Sequence, residues 1–369
     1  MTGQLLRRRR VPDNTIRYWL ALKFVPRLAI HKKIQLVKLH GLFALFEQQA
    51  IISSCAITSS QKNAFISPDW QKIDNIIAAS KKCNSFIIPF DSPLYPQLLQ
   101  QIYDPPLVLF VRGNVELLNK RQLAIVGSRS ATINGRNITV SIAQELVSLD
   151  KVITSGLALG IDAAAHRGAL QGLGGTIAVV ATGIDRVYPA RHKTLATEIL
   201  ENQGAIVSEF IPGTSPKPGH FPKRNRIISG MSEGVLVVEA EIRSGSLITA
   251  RCALEQNRDV YAVPGSVGNP LSKGCHWLIK QGAQLVESAA DIVNEQIDVS
   301  TFNQAGKKNN EQQDLCNDLI LASVGYEVTP VDTVVALCKL PTNTVITRLT
   351  MLELKGLISM VPGGYLRLI

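Results

Sequence analysis

The sequence predicts a three-part α/β protein: a helical N-terminal region, a central mostly parallel sheet layered with helices, and a small C-terminal winged helix. Three observations lead there. From about residue 107 to 294, short apolar β-branched runs alternate with helix-length segments. Those runs are apolar at nearly every position, the mark of strands buried on both faces, as in a parallel sheet sandwiched by helices. From about residue 315, three short helical segments precede two strands joined at Pro362-Gly363-Gly364, the outline of a winged helix.

The 369 residues are enough for two or three domains, each with its own core. The reading divides them into 1–105, 106–295, a linker at 296–314, and 315–369. In the first part, Ile16 to Phe24 and Ile34 to Phe46 carry apolar residues at helical spacing. Pro89, Pro93, Pro96, Pro105 and Pro106 then break the pattern and mark a connection. The central strands are expected at Leu123–Val126, Val152–Thr154, Thr176–Val180, Ala205–Val207, Val235–Val238 and Val260–Val263. The linker is polar, with Asn303-Gln304-Ala305-Gly306-Lys307-Lys308-Asn309-Asn310 at its centre. In the tail, Pro330 opens the second helix, Pro341 opens the third, and Gly356 ends it.

Composition removes several classes of function. No apolar run approaches the ~18 residues of a membrane helix. Arg7–Arg10 is followed by Val11-Pro12-Asp13-Asn14 instead of the apolar core of an export signal, so a cytoplasmic protein without a membrane partner is expected. The six cysteines form no Cys-x-x-Cys pair, which argues against a zinc site or a disulfide framework. The formal charge of +10 points to polyanions. Yet residues 1–38 hold six Arg, four Lys and one Asp, so nine of the ten excess charges sit there. A nucleic-acid role for the centre therefore needs local clusters.

Four loops supply candidates. Gly127-Ser128-Arg129 follows the Leu123–Val126 strand: Gly127 permits close approach of backbone N–H groups to a phosphate, Ser128 donates a hydrogen bond and Arg129 forks onto phosphate oxygens. The N-terminus of the helix that follows would add its positive dipole end. Ser155 and Gly156 open a second anion-facing turn, SGLALGID at 155–162. Asp162 and His166, four apart on one helical face, form either an acid–base pair or, more simply, a loop brace and a packed histidine. Lys217, Lys223, Arg224 and Arg226 surround Phe221 and Asn225 in a run without an acid. Cations track a phosphate backbone, and an aromatic ring gives bases a face to stack on. The fourth stretch, Glu239 to Arg251 with Val263-Pro264-Gly265, reads as structural or as a second wall of the same groove. No cofactor is expected, because positions 127–132 lack both the dinucleotide fingerprint and the Gly-Lys-Ser/Thr of a P-loop.

Taken together and in order, GSR at 127–129, SGLALGID at 155–162, FPKRNRIISGMS at 221–232, VVEAEIRSGSLITARCALE at 237–255 and VPG at 263–265 resemble the DprA/Smf family of DNA-processing proteins. The resemblance spans roughly residues 107–290. The tail resembles the winged helix that many members carry. The start resembles their SAM-like helical domain, although Val25–Ile30 stands where a glycine turn would be expected. This resemblance implies an extended Rossmann-like domain that forms homodimers and binds single-stranded DNA in a basic pocket. It implies a non-catalytic mediator that protects incoming DNA and helps load RecA during natural transformation. It also implies phosphate contacts by Gly127, Ser128 and Arg129, an adjoining loop at Ser155 and Gly156, and a basic, aromatic side made by Lys217, Phe221, Lys223, Arg224, Asn225 and Arg226.

Two other functions compete. Cytokinin-activating phosphoribohydrolases, which are nucleotide-hydrolysing Rossmann-like enzymes, carry Pro-Gly-Gly-x-Gly-Thr-x-x-Glu where this chain reads Glu241 to Thr249 without Pro-Gly-Gly. A duplex-DNA regulator would use the winged helix, but the recognition segment Thr342–Lys355 holds only Arg348 and Lys355 as cations.

Overall fold

Apolar residues at helical spacing build the N-terminal layer of the computed structural model, which describes residues 13–172, 175–293 and 319–368. In α1 (Asp13–Phe24), Ile16, Trp19 and Leu20 are buried on one face. Then come α2 (Ile30–His40), α3 (Ala44–Glu47), α4 (Gln49–Ser54), α5 (Ser59–Ile66) and α6 (Trp70–Lys82). Thr58 and Gln61 form a capping box on α5, and Asp69 caps α6 through the Lys72 N–H.

The next element departs from the expectation of an all-helical start. Ser85–Pro89 is a strand, β1, followed by α7 (Gln97–Gln100) and β2 (Val108–Gly113). β1 pairs antiparallel with β2 and is the edge of the main sheet. Pro89, read from sequence as a breaker, ends this edge strand, where a missing N–H is tolerated.

The expected strands then appear in order. They are β3 (Gln122–Val126), α8 (Ile133–Ser148), β4 (Val152–Ser155), α9 (Ile161–Gln171), β5 (Thr176–Val179), α10 (Lys193–Glu201) and β6 (Ala205–Ser208). After these come α11 (His220–Met231), β7 (Gly234–Val237), α12 (Gly245–Glu255), β8 (Asp259–Ala262), α13 (Lys273–Lys280), β9 (Gln284–Leu285) and α14 (Ala290–Val293). The nine-stranded order is β1-β2-β6-β5-β4-β3-β7-β8-β9. From β6 to β9 every pairing is parallel, as the runs apolar on both faces require. The chain winds outward from β3 through β4, β5 and β6, then returns to the other side of β3 as β7. That reversal makes the carboxyl ends of β3 and β7 the switch point at which such sheets bind ligands.

Trp19, Leu20 and Phe65 share one core with Phe110, Ile206 and Leu195, so the N-terminal helices pack directly on the sheet. A second unit begins after Val293. In it, α15 (Leu319–Ser323), α16 (Val331–Cys338) and α17 (Thr342–Leu354) precede the hairpin β10 (Ile358–Val361) and β11 (Gly364–Arg367). Pro330 and Pro341 sit at the N-caps of α16 and α17, and Gly356 follows α17 with φ +70°. Val334, Val345, Leu349, Leu352 and Tyr365 form its core. The expected linker at 296–314 and the Arg7–Arg10 run lie outside the described residues. Among those described, no helix is long and apolar enough to cross a membrane.

Candidate nucleic-acid interface

Gly127-Ser128-Arg129 leaves β3 at the switch point, but its backbone is more occupied than the sequence implies. The Ser128 N–H donates to the Glu239 carbonyl at 2.6 Å, and the Ser128 carbonyl accepts from the Ile161 N–H. The Ser128 hydroxyl accepts from the Ser130 N–H at 3.1 Å. The N-terminus of α8, expected to serve a phosphate, is already filled. The Glu239 carboxylate accepts from the Thr132 N–H at 2.8 Å and from the Thr132 hydroxyl at 2.6 Å, and a Cβ at Gly135 would run into it. Glu239 is therefore an internal anion at a helix N-terminus, the position a bound phosphate would favour. What remains open on this loop is Arg129, which is exposed and has no carboxylate partner among the described residues.

The second loop turns inward. Ser155 is fully buried and donates to the Ile125 carbonyl at 2.6 Å, so it contacts the sheet and not a ligand. Asp162 is 6% exposed and braces the loop by accepting from the N–H groups of Gly156 and Ala158 at 3.1 and 3.3 Å. Burial raises its pKa, against the opposing pull of Arg224 and those N–H groups. His166 belongs to a different set of contacts. Its Nδ1 faces the Thr176 hydroxyl at 2.7 Å, and that hydroxyl donates to the Ile153 carbonyl, so Nδ1 carries the proton. Burial lowers the pKa of His166 to about 3. The loop-brace reading of this pair is the one the geometry carries.

Helix α11 distributes the basic run by rotation. Lys217, ahead of the helix, and Lys223 are exposed. Arg224 is 5% exposed and points under the second loop, with its guanidinium 3.9 Å from Asp162 and 3.3 Å from the Val179 carbonyl. Gly156 makes room for it, because a Cβ there would overlap the guanidinium. Arg226 turns away from the loops, donating to the Asp104 carbonyl and the Glu209 carboxylate, with Asp104 also 3.6 Å from its Nε. Arg224 and Arg226 were both expected on the ligand side; the structure pairs each with an internal acid. Asn225 lines the crevice and donates to the Gly245 carbonyl at 3.3 Å.

These loops enclose a crevice of about 450 Å³. Gly127, Ser128, Arg129, Phe221, Arg224 and Asn225 line one side, and Ser244, Gly245, Ser246 and Thr249 at the start of α12 line the other. The guanidinium of Arg129 lies over the Phe221 ring, 5.4 Å from its centroid, a cation–π contact that leaves the cation at the opening. Glu241 is the exposed acid on the rim. Sequence reasoning missed Tyr188, whose ring centroid lies 5.8 Å from that of Phe221. No motif flags an isolated tyrosine; only the fold brings its loop to this edge.

A switch-point crevice with an open arginine on an aromatic ring defines the chain as an α/β protein suited to an anion carrying flat rings. Residues 86–297 match the family model described as DNA recombination-mediator protein A, and residues 305–364 match the DprA winged helix domain. Protein Smf of Escherichia coli (strain K12) is 45% identical over 324 residues, covering 86% of this chain and 87% of the relative. The DNA processing protein DprA of Streptococcus pneumoniae is 44% identical over 252 residues, 68% of this chain and 88% of that protein. Its X-ray structure superposes with a TM-score of 0.67 at 37% identity, covering 78% of this chain and 98% of that one. A Helicobacter pylori DNA processing protein A, described for its single-stranded DNA binding mode, gives a TM-score of 0.50 at 29% identity over 57% of this chain and 93% of that one. The chain belongs to the DprA/Smf family of DNA-processing recombination mediators.

Proposed function

We propose that this protein binds single-stranded DNA in the switch-point crevice as a non-catalytic homodimer in the cytoplasm, protects incoming strands and helps load RecA onto them. The observation that carries the reading is Arg129, an exposed cation held over Phe221 where the loops after β3, β4, β6 and β7 converge. Arginine there meets a phosphate, and the ring beside it meets a base. A duplex hides its base faces in the stack, whereas a single strand offers them. The similarity to the Helicobacter pylori protein supports the same ligand. A hydrolytic reading loses its natural acid–base pair, because Asp162 braces backbone N–H groups and His166 is buried against Thr176.

Fluorescence anisotropy of labelled single-stranded and duplex oligonucleotides, at two salt concentrations, tests the binding claim. Tighter single-strand binding that weakens with salt is expected. Equal or stronger duplex binding would move the site to the winged helix, and release of free base from nucleoside monophosphates would establish an enzyme. For the mediator role, the full-length protein should shorten the lag of RecA's DNA-dependent ATPase on strands covered by single-strand-binding protein. An unchanged lag refutes it.

A further inference from the structure

A cavity of about 180 Å³ lies at the β1 edge of the sheet, away from the switch point. Ile16 of α1, Ile77 and Ser80 of α6, Ile87 and Ile88 of β1, and Val115 after β2 line it. Its walls are mostly aliphatic, yet three polar groups there lack partners. The Ser80 hydroxyl is fully buried and has no hydrogen bond among the described residues. The other two belong to the backbone of Ile87, which is 8% exposed. The Phe90 N–H donates to the Leu107 carbonyl, so the alternation of an antiparallel pair turns Ile88 towards β2 and Ile87 away from it. The Pro89 carbonyl, which accepts from the Ser92 N–H, faces away from β2 as the same alternation requires. Because β1 is the last strand on its side, the Ile87 N–H and carbonyl meet no further strand. Buried polar groups are nearly always paired, so three together beside one cavity call for a partner. The charged residues of the lining, Asp13, Lys81 and Glu116, are exposed, and the first two pair with each other at 2.7 Å.

We propose that this cavity binds a small, neutral, flat molecule that carries a cyclic amide. The amide N–H donates to the Ile87 carbonyl, its oxygen accepts from the Ile87 N–H, and the Ser80 hydroxyl supplies a third hydrogen bond. The ring lies among Ile16, Ile77, Ile88 and Val115. The size fits, since an apolar cavity of about 150 Å³ is enough for a benzene ring. The ligand is neutral because the interior offers no unpaired charge, and a buried unpaired ion is strongly disfavoured. An added peptide strand fits less well. Pro89 has no N–H and its outward carbonyl is taken, so the open edge is confined to Ser85 and Ile87, shorter than the usual minimum of about three residues. The site is independent of the single-strand reading. Its ligand touches α1, α6 and β1 together, and so fastens the helical layer to the sheet edge and stabilises the fold by mass action.

The test titrates the full-length protein, methyl-labelled at isoleucine, with the bicyclic lactam carbostyril and follows the methyl signals by NMR. The Ile87 and Ile88 methyls should shift saturably, and the melting temperature should rise with lactam concentration. N-methylcarbostyril keeps the ring but loses the donor. It should bind wild type between about fivefold and 150-fold more weakly, the span for a buried acceptor left unpaired. Ser80→Ala should weaken carbostyril binding between about twofold and tenfold, the size of one hydrogen bond. Without lactam this variant should melt at or above wild type, because the hydroxyl it removes has no partner to lose. No saturable shift at millimolar carbostyril overturns the proposal. Equal binding of the N-methyl compound does so too, by reducing the cavity to an unselective apolar void, and this arm needs no variant to fold. Carbostyril binding unchanged in Ser80→Ala removes the hydroxyl from the site and the proposed ligand set with it. A capped Val-Ile-Val peptide that shifts the same methyls more strongly than carbostyril would make the edge a strand-pairing site instead.

Discussion

Replacing Gly156 with alanine tests how the second loop holds Arg224. The added Cβ would overlap the Arg224 guanidinium, the mobile end of a long side chain, so the steric conflict is relieved when that group swings aside. The cost is electrostatic. Arg224 leaves Asp162, 3.9 Å away and 6% exposed, as a buried carboxylate without its cation. Breaking a buried pair typically costs 3–5 kcal/mol. Asp162 keeps two backbone N–H donors, which places the expected loss at the low end, about 3 kcal/mol. For a large unit, 1 kcal/mol moves the melting temperature by about 2 °C, so Gly156→Ala should melt about 6 °C below wild type by circular dichroism. The partner can be identified by a cycle. Arg224→Ala removes the same cation, and Gly156→Ala/Arg224→Ala should be no worse than Arg224→Ala alone. pH supplies a second check. Burial raises the pKa of folded Asp162 above its ordinary 3.8, and losing Arg224 raises it further. A carboxyl with a raised folded pKa favours the fold below its unfolded value and loses that contribution as pH rises through the folded one. The Gly156→Ala deficit should therefore be largest at neutral pH and shrink as acid protonates Asp162. Additive losses in the cycle, or a deficit that grows on acidification, would refute this account.

Three further outcomes follow from the same contacts. Arg129→Ala should weaken single-strand binding and reduce the slope of log K against log salt by about 0.7, while Arg226→Ala, whose cation is held by Glu209 and Asp104, should lower the melting temperature and leave the slope unchanged; equal slope changes would place both on the ligand. Glu239→Ala removes two hydrogen bonds at the α8 N-terminus and should cost about 1–3 kcal/mol in urea unfolding, with Glu239→Gln recovering part of it. His166, at about 3 when folded against 6.5 ordinarily, cannot take up the proton that the unfolded chain binds, so stability should fall by about 2 kcal/mol between pH 7 and pH 5. His166→Gln should abolish that component of the pH dependence, and an unchanged dependence would show that other groups cause it.

The parallel sheet was legible because burial on both faces writes itself into composition: Leu123–Val126 and Val235–Val238 are unbroken apolar runs, and the strands fall within a residue or two of them. The edge strand Ser85–Pro89 was hidden by its own proline and by those that follow at 93 and 96. The convergence of the loops after β3, β4 and β6 followed from parallel topology alone. Side-chain direction did not. Lys223, Arg224 and Arg226 look alike as letters, yet each step along a helix turns about 100°, and the three face solvent, Asp162 and Glu209 respectively. Their partners lie far off in sequence, as does Glu239, which is 107 residues from the Thr132 it holds. Such pairings have no local signal, and Tyr188 has none either.

Those inward pairings change what a ligand meets. Counted along the sequence, the GSR loop and the basic run offer five cations. In the fold, Asp162 and Glu209 neutralise Arg224 and Arg226, and Glu239 takes the helix dipole that an incoming phosphate would otherwise find. Of these five, Arg129, Lys217 and Lys223 are exposed, and Arg129 alone of the three lines the crevice. The internal acids fix the loops before any strand arrives, so binding need not order them, and ordering a loop is one of the main costs of association. On the proposed function, a strand would meet a crevice with one exposed cation, Arg129, lying over the Phe221 ring. Such an arrangement would limit non-specific attraction to duplex DNA, whose hold on a protein grows with every phosphate contacted, and would leave the uncovered base faces of a single strand to supply the remaining affinity.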